Sequence, residues 1–235
     1  MIPLLTSNKQ ALSFGIQSID HVFQGVKLGN FTVLYDHHVC KNLIFRLCVR
    51  SQLPEEKGGL DSSAIYVDGG NSFNPYEISA IAREFNSDPK STLERVFISR
   101  AFTAYQLSAI VSETLEDALK RYKSKLVLIS KITSLFLDQD VPAKEALELF
   151  RKMTLHLADL ALRRNIIVVA TCSNDEPSKR HVILESILLG RADKTARFTE
   201  TKRRLQLNVK NHGSPESLTV DILRDEVTLE KFVEA

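Results

Sequence analysis

Four short, almost wholly apolar stretches, separated by helix-spaced sequence, constrain this chain more than any other feature. Phe31–Tyr35, Ala64–Asp68, Leu126–Ile129 and Ile166–Ala170 are too short for helices, and their apolar residues do not alternate with polar ones. Val96–Ile98 is a shorter run of the same kind. Between these runs the periodicity changes. Leu43–Leu53 carries apolar residues at helical spacing, and Ile78, Ile81, Ala82 and Phe85 fall on one helix face. Leu107, Ile110, Val111, Thr114, Leu115, Ala118 and Tyr122 mark a long amphipathic helix, and another spans about Ala143–Arg164. Strands that are apolar on both faces and joined by helices belong in a mostly parallel sheet with helices on both faces.

The C-terminal part has a different pattern. Leu205, Leu207 and Val209 alternate with polar residues, as do Leu218, Val220 and Ile222. That alternation predicts antiparallel strands with one wet face, added at the sheet edge and joined by a turn over Asn211–Glu216. No linker or repeat divides the 235 residues, so the expectation is a single α/β domain over 1–235, with a short extension at 1–12 and the antiparallel strands within 195–235.

Composition excludes several classes. No apolar run is long enough to cross a bilayer, and Met1–Gln10 lacks the basic start and apolar stretch of a signal peptide, so a cytoplasmic chain is expected. Cys40, Cys48 and Cys172 give no disulfide framework, which fits a reducing compartment. The net charge of +2 neither demands nor forbids a nucleic-acid partner.

An ordered set of landmarks carries a resemblance. Phe14-Gly15-Ile16-Gln17-Ser18-Ile19-Asp20 is followed by Gly25, Gly29 and the strand Phe31–Tyr35. Gln52-Leu53-Pro54-Glu55-Glu56-Lys57-Gly58-Gly59-Leu60 then leads into Ala64–Asp68, and Phe73, Ile81-Ala82, Phe85 and Arg100-Ala101-Phe102 continue the series. From Leu12 to Thr171 the chain resembles the RecA/RadA recombinase family. The resemblance implies a RecA-like three-layer fold and, in an active member, ATP bound at a phosphate loop after the first core strand.

The chemistry of such a loop is missing. A phosphate loop needs glycines, so that backbone N–H groups can converge on phosphate oxygens, then a Lys and a Ser or Thr. The matching segment reads Asp36-His37-His38-Val39-Cys40-Lys41-Asn42, without a glycine. Asp36 brings negative charge, Val39 disfavours positive φ, and Lys41 matches either the Lys or the Thr position because the segment is one residue short. The resemblance implies a metal-holding Asp where Ser130 stands, a water-activating Glu where Gly70 stands, and a Thr-Asn-Gln sensor where Thr171-Cys172-Ser173 stands. The expectation is an inactive ATPase with no nucleotide cofactor.

His37, His38 and Cys40 suggest a metal, but the string supplies no fourth ligand, and none is expected there. Cys40 sits at a helix start, a place where thiol pKa values fall. Lys179, Arg180 and His181, in a loop read as Asn174–Ile183, and Lys202, Arg203 and Arg204 are the candidate DNA contacts, with solvated surface charge as the alternative. The other loop where the family binds DNA reads Leu137-Asp138-Gln139-Asp140 and is acidic. The resemblance therefore implies an accessory or regulatory paralogue in homologous recombination and repair. It would bind a RadA-type recombinase or another paralogue, with weak, sequence-independent DNA contact, no membrane and no long filament of its own. The filament expectation rests on Met1–Leu12, which offers no aromatic anchor for a neighbouring subunit. The alternatives are a weak ATPase with a non-standard phosphate loop, and a RecA-like interaction domain outside recombination.

Overall fold

The computed structural model describes residues 11–172, 178–201, 204–214 and 217–222. An eight-stranded sheet forms the middle layer. Its members in chain order are β3 (Phe31–Tyr35), β4 (Ala64–Asp68), β5 (Val96–Arg100), β6 (Leu126–Ser130), β7 (Ile167–Cys172), β8 (Lys194–Thr201), β9 (Arg204–Asn211) and β10 (Ser217–Ile222). In space the order is β10-β9-β8-β3-β7-β6-β4-β5. The strands from β8 to β5 run parallel, and β9 and β10 are antiparallel. A two-stranded ladder of β1 (Ala11–Leu12) and β2 (Val26–Lys27) stands apart and encloses helix α1 (Gln17–Phe23).

The apolar strands bury both faces, as their composition requires. On one face Leu34, Tyr66, Leu128 and Val169 pack beneath α1, α2 (Val39–Arg50) and α3 (Pro75–Glu84). On the other, Val33, Val67, Ile129 and Ala170 meet the helical run from Ala104 to Tyr122, α7 (Ala143–Arg164) and α8 (Lys179–Leu189). Capping sets where helices begin. Asn74 accepts from Tyr76 N ahead of Pro75, and Asp88 accepts from Ser91 N ahead of Pro89, which opens α4 (Pro89–Glu94). Gly59 has a packing reason: a Cβ there would lie 1.9 Å from the Leu53 carbonyl oxygen, so the loop before β4 closes only around glycine.

The helical run after β5 has three parts: α5 (Ala104–Ala109), a π turn (Ile110–Thr114) and α6 (Leu115–Tyr122). Its large buried residues Leu107, Val111, Leu115 and Leu119 are each four apart. In a uniform α-helix each four-residue step overshoots a full turn by about 40°. The wider π turn absorbs that drift and keeps all four on the core.

One expectation needs correction. Lys179, Arg180 and His181 do not lie in a loop over Asn174–Ile183; they form the first turn of α8, which Ser178 caps through His181 N at 3.0 Å. Helical periodicity was hidden there because Val182 and Ile183 are apolar yet exposed. The expected antiparallel strands are present: β9 pairs antiparallel with β8 and β10, while β8 joins the parallel part of the sheet through β3. Among its described side chains only Ala196 and Phe198 are buried along β8, too little pattern to read as a strand. Among the described residues, no helix is long and apolar enough to cross a membrane.

A buried arginine ties the entry segment to the sheet layer. Arg46, 5% exposed, donates to the Phe14 and Gly15 carbonyls and pairs with Glu84. Arg46→Met should cost about 3 kcal/mol, because the carboxylate and two carbonyls lose their partner. Thermal unfolding should show the midpoint falling by roughly 6–12 °C.

Candidate functional site

In open parallel sheets ligands sit beyond the carboxyl ends of the strands, where the strand order reverses. Here the ends of β3, β4 and β6 border a cavity of about 810 Å³, lined by Asp36, His37, His38, Lys41, Phe73 and Lys131 among others. This is where the resemblance would place a nucleotide.

The loop from β3 to α2 is only Asp36-His37-His38. Asp36 makes the turn with φ of 76°, and its carboxylate accepts from the Arg197 guanidinium of β8. The imidazole of His37 accepts from Val39 N at 3.2 Å, and its Nε2 lies 3.2 Å from Glu200. The next two N–H groups are also taken locally: Cys40 N donates to His37 O and Lys41 N to His38 O. The first three N–H groups of α2 are therefore satisfied by His37 and His38.

Charge is closed in the same way. Lys41 Nζ donates to Glu77 Oε1 at 2.6 Å, and Asn74 holds that carboxylate from the other side at 2.9 Å. Asp68, at the end of β4, has a fully buried side chain. It accepts from Ser72 N and Phe73 N, both at 3.0 Å, and from Ser130 Oγ at 2.8 Å. Burial pushes its pKa up, but the N–H groups of Ser72, Phe73 and Gly70 and the Ser130 hydroxyl together hold it below the usual carboxylate value. Ser130, where the resemblance implies a metal-holding Asp, thus supports a neighbouring carboxylate. At Gly70, where the resemblance implies a water-activating Glu, a Cβ would stand 2.6 Å from Lys131 Cδ, so the lysine chain occupies that space. Thr171 Oγ1 accepts from Lys131 N at 2.9 Å; Ser173 lies outside the described residues.

The other candidates are scattered. Cys40 and Asn42 lie in the first turn of α2. Cys40 is 3% exposed, and burial pushes its thiol up to about 12, which corrects the expectation of a lowered pKa at a helix start. His181 is buried and offers no surface contact, and Arg180 donates to the carbonyls of Asp138 and Val141. Arg204 pairs with Asp221 at 3.0 Å. Lys179 is exposed, and Lys202 and Arg203 lie outside the described residues. Sequence reasoning missed Glu77, which lies 36 residues from Lys41 and has no spacing signal to link them. A family model described as Rad51 matches residues 7–176, which take in every strand end around the cavity.

Asp68 makes the pocket's response to pH and mutation predictable. Its folded pKa is depressed, so its contribution is present above the unfolded value of about 3.9 and is lost as pH falls through the folded one. Ser130→Ala should cost about 1.5–3 kcal/mol at neutral pH, the worth of a hydrogen bond to a charged group. Ser130→Asp should cost more, because it sets a second carboxylate against a buried one. Denaturant unfolding should show the gap between the two variants narrowing as pH falls into the acid range, where the introduced carboxylate, raised by its charged neighbour, protonates first.

Proposed function

The chain belongs to the Rad51 family, and on that premise we propose that it is a non-catalytic recombinase paralogue that acts by docking on a RadA-type partner. Membership of the family points to recombination and repair. The observation that carries the non-catalytic reading is the satisfaction of the Val39, Cys40 and Lys41 N–H groups by His37 and His38. Phosphoryl transfer depends almost wholly on positioning groups. Here those three donors are taken, Lys41 is held by Glu77, and Ser130 and Gly70 stand where the resemblance implies acidic residues.

The docking reading is supported by β5. Among the described residues it pairs on one side only, with β4, and leaves its outer edge open. Ile98 is 46% and Phe102 66% exposed beside that edge. An open edge with apolar side chains is a template for an incoming strand, whose backbone supplies affinity while its side chains fill adjacent sites. Direct DNA binding has less support, because His181 is buried and Arg180 and Arg204 are engaged.

Two measurements test the proposal. A ligand held at about a hundredfold its Kd raises stability by about 2.7 kcal/mol, or roughly 5–11 °C for a chain of this size. Millimolar MgATP should move the midpoint by less than about 1 °C. A clear shift, or phosphate release that disappears in Lys41→Ala, would favour the weak-ATPase alternative. Sedimentation with a RadA-type recombinase should reveal a complex. Ile98→Asp combined with Phe102→Ser should weaken that complex at least about tenfold, while unfolding changes by no more than about 0.5 kcal/mol per exposed site. A complex indifferent to both substitutions removes β5 as the docking edge. No complex at all favours an interaction domain outside recombination.

A further inference from the structure

A second group of chemistry-bearing side chains lies where β7 ends and α8 begins. Cys172 is the last residue of β7, and His181 and Glu185 are one turn apart on α8, hence on one face. Cys172 and His181 are each 1% exposed, and Glu185 is half-buried. One ligand atom from each of the three lies within 4.8 Å of the others. Among the described residues, this is the only such convergence of three metal-type ligands.

The geometry distinguishes between uses. Cys172 Sγ stands 3.6 Å from His181 Nε2. Bond lengths of about 2.3 Å to sulfur and 2.0–2.1 Å to nitrogen, at a tetrahedral angle, place the two ligands about 3.6 Å apart. A cysteine nucleophile would need space for its substrate, and neither group has it. Cys172 borders a cavity of about 50 Å³ with Cys40, Ser130 and Thr171, which has room for water but not for an acyl group. Thr133 Oγ1 lies 3.2 Å from the same sulfur, where its hydroxyl can donate to a thiolate, the outer support typical of a metal ligand. Arg197, the cation nearest to Glu185, is already paired with Asp36. A half-buried carboxylate beside a buried thiol is stabilised by a cation between them.

We propose that Cys172, His181 and Glu185 form a binding site for a divalent transition-metal ion, with zinc the ion that suits the donors. A set of one sulfur, one nitrogen and one carboxylate oxygen disfavours magnesium and calcium, which take oxygen ligands. Water in the adjoining cavity supplies the fourth position. The ion ties the first turns of α8 to β7, and its binding adds to folding stability because the site does not exist in the unfolded chain.

The test uses the full chain, stripped with a chelator and titrated with Co²⁺ as the probe. The expected result is one ion per chain, with tetrahedral visible bands and a thiolate-to-cobalt charge-transfer band, both displaced by Zn²⁺. Cys172→Ser should abolish the charge-transfer band, and Cys40→Ser should leave it unchanged. Removing an outer partner of a metal ligand already costs about tenfold or more in affinity. Glu185→Gln, at a half-buried position that leaves the fold intact, should therefore weaken Co²⁺ binding by at least as much. The proposal is overturned if Co²⁺ does not bind, if the band survives Cys172→Ser or vanishes in Cys40→Ser, or if Glu185→Gln binds as tightly as the parent.

Discussion

The buried carboxylate of Asp68 organises the end of the sheet on which function depends. A charge with no exposed surface persists only if donors surround it, and Asp68 draws them from two elements. The N–H groups of Ser72 and Phe73 bend the chain immediately after β4 and so fix where α3 starts. The Ser130 hydroxyl holds the end of β6 against the end of β4. Once α3 starts there, Glu77 in its first turn is in reach of Lys41 on α2, and one of the cavity's two lysines is paired. One carboxylate thus sets the loop, the helix and the charge balance of the cavity.

The same arrangement leaves the cavity open while the polar groups on its wall bind one another. About 810 Å³ of space remains between β3, β4 and β6. What has changed is the direction of the donors. Glycines would leave N–H groups pointing into the cavity, whereas His37 folds back on Val39 N and 3₁₀-type bonds take the next two. Arg197 and Asp36 close one wall with a pair of opposite charges. A cavity whose polar groups already satisfy each other gains little from a polyanion, since each new contact breaks an existing one.

The sequence made the layers legible because both-face burial leaves an unmistakable trace. Leu126–Ser130 and Ala64–Asp68 are read as strands from their apolar runs, and the alternation of Leu205, Leu207 and Val209 marks β9 as one-faced. Elements whose packing does not follow their composition stayed hidden. The helix α8 exposes Val182 and Ile183, and β8 buries only Ala196 and Phe198. At the site, absences were readable from single positions: no glycine at Asp36–Lys41, Ser130 for an acid, Gly70 for a base. Pairings were not. Lys41 with Glu77 and Asp68 with Ser130 depend on the crossover order of the sheet, which brings together residues that no local spacing connects; Cys172 with His181 depends on how α8 turns back on the end of β7. The Asp36-His37-His38-Val39-Cys40 string drew attention as a local cluster, yet folding turns Cys40 into the core and away from its neighbours.

The π turn at Ile110–Thr114 bears on chain length as well as shape. The helical run from Ala104 to Tyr122 contains more residues per revolution than an α-helix of the same axial rise, so it holds an insertion without a visible loop. Deleting one residue there would tighten the π turn to an α turn and leave the downstream helix facing the same way. Leu115 and Leu119 would stay on the core, and Tyr122 would keep its stack on the Phe97 ring, whose centroid lies 3.6 Å away. A relative without the extra residue can bury the same helix face on both sides of the gap. Residue-by-residue correspondence along this helix therefore holds on both sides once a one-residue gap is placed at the π turn.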